Sequence, residues 1–163
     1  MLQRIQTLYL LAVALTAALF LFLPISIYKV KQPDGNELLI KYDSWGLHQL
    51  PAKTGAPHIV ETTLPVTVTA FLIIACALLS VFLFKRRRLQ LMLGNLNMLL
   101  LSGLVGLVFF YADNKVKIIT GEAPFSITYL GAYLPALSLI LTFLANKAIK
   151  KDEELVRSAD RIR

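Results

Sequence analysis

Cys76 is the only cysteine, and it lies inside an apolar run, so neither a disulfide framework nor a cysteine-based metal site can be built. With no histidine or other base in its run, it reads as a small packing residue. Only two histidines occur, His48 and His58, in a polar segment that also holds Asp43 and Glu61. Two histidines ten residues apart without a further ligand pattern read as loop residues, not as a metal site. Asp, Glu, Lys, Arg and His are all missing from the four apolar runs 8–27, 64–84, 89–112 and 127–145. Ion pathways, proton relays and intramembrane acid–base catalysis need such groups at depth, so their absence argues against a pump, a proton-coupled transporter or an intramembrane enzyme. The expectation is a chain with no catalytic residues, no metal and no cofactor.

What is present is apolar and basic. Of 163 residues, 56% are hydrophobic, and the formal net charge is +7. Such a chain makes one compact membrane domain with little room for a soluble one. A basic excess also suits nucleic acid, but here it flanks apolar runs, so anionic lipid headgroups are the expected partner and nucleic acid is not.

The chain is organised around Lys85, Arg86, Arg87 and Arg88, four consecutive cations between two runs that are each long enough to cross a bilayer. They form the turn of a helical hairpin, and the positive-inside bias places that turn in the cytoplasm. The first run is longer than the core of a secretory signal and lacks a small-x-small cleavage site, so it reads as a retained helix. Four crossings follow, with helices over about 5–27, 63–85, 88–112 and 126–150, outer loops over 28–62 and 113–125, and a cytoplasmic tail over 151–163. The N-terminus, the basic turn and the charged stretch 146–163 hold eleven Lys and Arg, whereas the outer loops hold six, matched by six acids. Both termini are therefore expected in the cytoplasm. The tail should continue the fourth helix along the membrane surface, with Leu155, Ala159 and Ile162 on one face.

In the first outer loop, 27–31 and 37–42 flank a Pro-Asp-Gly-Asn turn and predict a β-hairpin. The remainder, 43–61, reads as an irregular loop, and a strand over 115–119 in the second loop is expected to add to the hairpin as a three-stranded cap. Tyr42 and Trp45 are candidates for the membrane interface, for covering the hairpin, or for a partner contact. The fold class is an all-α membrane protein, four transmembrane helices in an up-down bundle with a small extracytoplasmic β cap.

Lipid gives helices no gain from burying Leu against Leu, so small and weakly polar residues at heptad spacing are expected to face inward. On the fourth helix these are Gly131, Pro135, Ser138, Thr142 and Ala145, with Pro135 bending the helix around Gly131. On the third they are Asn95, Ser102 and Gly106, and a bulky residue at Gly106 or Ser138 should release partners or destabilise the bundle. Helix two offers Thr69, Cys76 and Ser80, and helix one Thr7, Ala14 and Ala18. Asn97 joins Asn95 as polar glue.

The opening MLQRIQTLYLL, the turn FKRRRLQ, the segment GLVGLVFFY at 103–111 and the ending KKDEELVRSADRIR together resemble a Bacteroidota family of small four-span membrane proteins catalogued as a domain of unknown function. The resemblance covers the whole chain and implies a bacterial inner-membrane setting, but it transfers no catalytic residue. A looser architectural likeness is to claudin-like tetraspans, whose paired cysteines are missing here. The functional expectation is an accessory or assembly subunit of a larger envelope complex, in contact with other membrane proteins. The alternative is a small-molecule or lipid transporter or sensor that uses the bundle interior.

Overall fold

The apolar runs become four helices, α1 (Leu2–Phe22), α2 (Leu64–Phe82), α3 (Arg87–Phe110) and α4 (Leu134–Asp160), in a computed structural model that describes residues 2–31, 37–50, 58–84, 86–117 and 125–160. Each carries a stretch long and apolar enough to cross a membrane. The helices form a closed ring in which α1 packs on α2 and α4, and α3 packs on α2 and α4. Buried positions recur at three- and four-residue intervals, as in Leu10, Val13, Ala14, Ala17, Phe20 and Leu21 of α1. The same spacing gives Val66, Ala70, Ile73 and Ala77 on α2. The start of α1, the turn between α2 and α3, and the end of α4 lie at one end of the bundle, called here the cationic end.

At the other end stands a five-stranded antiparallel sheet in the order β4-β3-β2-β1-β5. Its strands are β1 (Ser26–Lys31), β2 (Glu37–Tyr42), β3 (Gly46–Leu50), β4 (His58–Thr62) and β5 (Phe125–Thr128). The expected hairpin is present as β1 and β2, with Ser26 opposite Tyr42 and Lys31 opposite Glu37. The cap is larger than the sequence suggested, because 43–61 is not an irregular loop but contributes β3 and β4. The third partner of the hairpin also differs. Lys115 closes a π-helical turn (Tyr111–Lys115) that extends α3, and Val116 and Lys117 remain helical, so these three residues do not form the expected strand. Residues 118–119 of that strand lie outside the described residues. Phe125–Thr128 pairs with β1 instead.

The π turn has a packing reason. Its i→i+5 bond, from the Val116 N–H to the Tyr111 carbonyl, stacks residues five apart on one side of the helix. Tyr111 and Val116 are thereby both buried, and the Tyr111 ring lies 6.5 Å from that of Tyr42 under the sheet.

Helix bounds are shifted from expectation at the sheet end. α1 stops at Phe22, before Pro24, and its downstream residues are strand. A 3₁₀ turn (Leu130–Tyr133) precedes α4, so Pro135 occupies the first turn of that helix, where its missing N–H is harmless, and does not bend it from within. Gly131 lies in the 3₁₀ turn under the α1 exit. A Cβ there would stand 2.4 Å from the Pro24 carbonyl oxygen.

The small-residue stripe of α4 faces inward as expected, with Gly131, Pro135, Ser138, Thr142 and Ala145 all buried. Cys76 and Ser80 of α2 are also buried. On α3 the phase is different: the buried positions are Gln90, Gly94, Asn97, Leu101, Leu104 and Val108, while Asn95, Ser102 and Gly106 are exposed. Among the described residues, a Cβ at Gly106 would meet nothing within 4 Å, so this glycine packs against none of the other described helices.

These two glycines should therefore behave oppositely. Gly131→Ala forces a backbone shift and is expected to cost about 1–3 kcal/mol, whereas Gly106→Ala should stay within about 0.5 kcal/mol of the parent. Thermal unfolding in detergent reads both; equal effects would contradict the assigned helix phase.

Candidate functional site

The densest polar construction lies where the sheet meets the helices. α1 ends at Phe22, so the Leu21 carbonyl needs an acceptor's partner that the helix no longer supplies. Ile25 N–H, which a continued helix would direct to it, donates instead to the Tyr42 carbonyl at 2.9 Å. The β2–β3 turn fills the gap: Ser44 Oγ donates to the Leu21 oxygen at 3.0 Å and Trp45 Nε1 at 2.9 Å. Asp43 shapes that turn, its Oδ1 accepting from the N–H groups of Trp45 at 3.0 Å and Gly46 at 3.1 Å. Lys41 Nζ and His48 Nε2 each lie 3.3 Å from the same carboxylate. The start of α2 is tied to the turn as well, with Thr63 Oγ1 donating to the Ser44 oxygen at 2.9 Å and Thr67 Oγ1 donating to it too.

This junction reassigns several residues singled out in the sequence. Tyr42 is fully buried in the core, so it offers no surface to a partner; burial pushes its phenol well above the usual range, with the neighbouring Tyr28, Tyr111 and Asp43 adding to it. Trp45 keeps about half its surface exposed while its indole meets Phe71 edge-on at 6.2 Å. His48 is held by Asp43, and His58 lies across from Gln49 on the adjacent strand. Among the described residues, no three His, Cys, Asp or Glu side chains converge to hold a metal. Thr63, legible in the sequence as a candidate cap of α2, sits at that position but directs its hydroxyl to the turn, while Ser44 and Thr67 went unnoticed in the sequence, where the only signal was a Ser between an Asp and a Trp just after a strand.

A second polar network staples the bundle nearer the cationic end. Gln6 of α1 donates to the Ala148 carbonyl of α4 at 3.2 Å, and Gln90 of α3 donates to the Ser80 carbonyl of α2 at 3.1 Å. Asn146 Nδ2 of α4 reaches Asn95 Oδ1 of α3 at 3.3 Å. Arg87 Nη1 lies 2.7 Å from Asp152 Oδ2, a pair that joins the same two helices. Thr16 and Ser138 hydroxyls, 2.7 Å apart, link α1 to α4 in mid-span. Thr142 Oγ1 donates within its own helix, to the Ser138 carbonyl at 2.8 Å. Of the basic cluster, Arg86 and Arg88 are exposed, Arg87 is turned to Asp152, and Lys85 lies outside the described residues. Arg87 is thus a bundle residue as much as a surface charge.

The third feature is the outward face of α3. Ser102, Gly103 and Gly106 are exposed, and neither glycine has an atom within 4 Å of an added Cβ. Ser102 Oγ is satisfied within its own helix by the Met98 carbonyl at 2.9 Å. The α3 span is also the least buried of the four, at 28%.

A family model, described as a domain of unknown function (DUF4293), matches residues 2–162. No curated protein matches the chain.

Because Ser44 and Trp45 share one acceptor, their removal should be strongly non-additive. Ser44→Ala or Trp45→Phe alone leaves the Leu21 carbonyl one donor and should cost about 0.5–1.5 kcal/mol each. The double variant strands a buried carbonyl, and the extra loss of about 1–3 kcal/mol should appear as coupling in a thermal-unfolding cycle. Strict additivity would mean that the carbonyl finds another donor.

Proposed function

The chain belongs to the family described as a domain of unknown function (DUF4293), and we propose that it serves as an accessory or assembly subunit of a larger envelope complex in the bacterial inner membrane. In this reading its N- and C-termini and the basic turn face the cytoplasm, the sheet faces outward, and the protein carries no chemistry of its own. The observation that carries the proposal is the outward α3 face. Close helix approach in lipid relies on small residues, because apolar burial gives no net drive there. Ser102, Gly103 and Gly106 make such a strip on the least buried of the four apolar helices, and none of the described helices occupies it. A transmembrane helix of a different protein is the matching occupant.

Two further features support this reading. Several hydroxyl and amide groups of the bundle, as with Thr16 and Ser138, Gln90 and Ser80, and Asn146 and Asn95, are engaged in helix-to-helix bonds, which supports a holding role; the buried Asn97 amide makes no hydrogen bond among the described residues. At the opposite end, Arg86 and Arg88 are exposed and suit anionic headgroups, which would hold the subunit in one orientation.

Mild detergent extraction followed by affinity purification provides the test. Gly106→Phe should release a co-purifying membrane protein while changing stability by no more than about 0.5 kcal/mol, since the site is open space among the described residues. Ala75→Phe, on an exposed position of α2, should retain the partner. Retention by both variants, or self-association through α3 in place of a different protein, would contradict the proposal.

A further inference from the structure

At the sheet end, between α3 and α4, lies a partly open cavity of about 520 Å³. That volume falls within the ~300–1,000 Å³ range of ligand pockets and is too small for a whole diacyl phospholipid. Its walls divide by chemistry. Val105, Val108 and Phe109 of α3 and Ala136 of α4 form an aliphatic and aromatic channel, and all four belong to the two membrane-crossing segments. Phe109 and Ala136 are themselves exposed, so the channel opens sideways at bilayer depth. The other end of the cavity is polar, with Ser26 and Tyr28 of β1 at its base and Asp113 and Lys117 at its rim.

Three features of the polar end point to a ligand. Ser26 is 4% exposed; its Oγ interacts with the Tyr28 hydroxyl and makes no other hydrogen bond among the described residues, so a hydroxyl that can both donate and accept keeps capacity for a ligand. Asp113 and Lys117 are exposed and form no ion pair with a described residue. Their positions follow from the π turn. Its five-residue repeat directs Tyr111 and Val116 inward and leaves Ala112 and Lys117, also five apart, together on the cavity side.

We infer that this cavity binds a zwitterionic phospholipid of the phosphatidylethanolamine type, with one acyl chain between α3 and α4 and the headgroup at the sheet rim. Lys117 meets the phosphate, Asp113 takes the primary ammonium, and the Ser26 hydroxyl donates to a headgroup oxygen. One cation and one anion side by side match a zwitterion better than a singly anionic lipid, for which Asp113 is repulsive. The second acyl chain stays in the bilayer, which reconciles the cavity size with a diacyl lipid. The cavity adjoins the Ser102 to Gly106 strip on α3, sharing Val105 with that stretch, but the inference does not depend on the assembly role proposed above.

The test uses the full chain in vesicles of phosphatidylethanolamine and phosphatidylglycerol, with a trace of phosphatidylethanolamine carrying a photoactivatable group on one acyl chain. Peptide mapping after illumination should place adducts on the α3 and α4 segments that line the cavity. Excess unlabelled phosphatidylethanolamine should displace them, and excess phosphatidylglycerol should not. Val105→Trp, which fills the channel, should lower labelling about tenfold. If that variant folds poorly, Lys117→Glu leaves the apolar walls intact and should abolish the headgroup preference. Label spread evenly over exposed span residues such as Leu99 and Phe143, or equal displacement by the two lipids, would overturn the inference.

Discussion

Helix ends are where this fold is decided. Inside a hydrocarbon slab a helix satisfies its own backbone, but its last carbonyls and first N–H groups need partners at the boundary. At the sheet end those partners come from the sheet and its turns. The Leu21 carbonyl takes Ser44 and Trp45, the Ile25 N–H takes Tyr42, and the Tyr129 N–H donates to the Ile25 carbonyl at 3.0 Å as the chain enters α4. Thr63, at the start of α2, is bonded to Ser44 and Trp45. Residues 21–25 are therefore a hub through which α1, α2, α4 and three strands are joined. Gly131 is required under that hub because the Pro24 carbonyl leaves no room for a side chain.

The cationic end solves the same problem differently. There the connection between α2 and α3 is only a few residues long, and amide side chains near the ends of the spans cross-link neighbouring helices through backbone carbonyls. The Arg87–Asp152 pair adds a charged clasp between α3 and α4. One end is thus a broad, sheet-covered platform and the other a short basic turn, which is the asymmetry that the charge distribution alone had suggested.

The number of long apolar helices, their order and the β1–β2 hairpin were legible because length, hydropathy and a Pro-Gly turn are local signals. The phase of α3 was not. Small residues were taken to mark the inward face, but Leu101 and Leu104 fill the interior, and the polar groups that face inward are Gln90 and Asn97, displaced from Asn95 by one side of the helix. β3 and β4 were missed because 43–61 carries two Pro and two Gly, which mask alternation; the β-branched pair Ile59 and Val60 was the available hint. The strand expected at 115–119 failed because its Lys-Val-Lys alternation is equally compatible with a helix end, and tertiary burial of Val116 beside Tyr111 favours the π turn. Tyr42 looked like a surface aromatic only because its cover, α3 beyond Phe110, is distant in sequence.

The central claim is that the bundle crosses a membrane with the sheet and the cationic end on opposite sides. Thiol accessibility in intact cells tests it most directly. With Cys76→Ser as background, the account predicts that a membrane-impermeant maleimide labels His58→Cys on β4 without permeabilisation and labels Arg88→Cys at the start of α3 only after it; both positions are exposed in the structure. Labelling of both from outside, or of position 88 alone, would contradict the account.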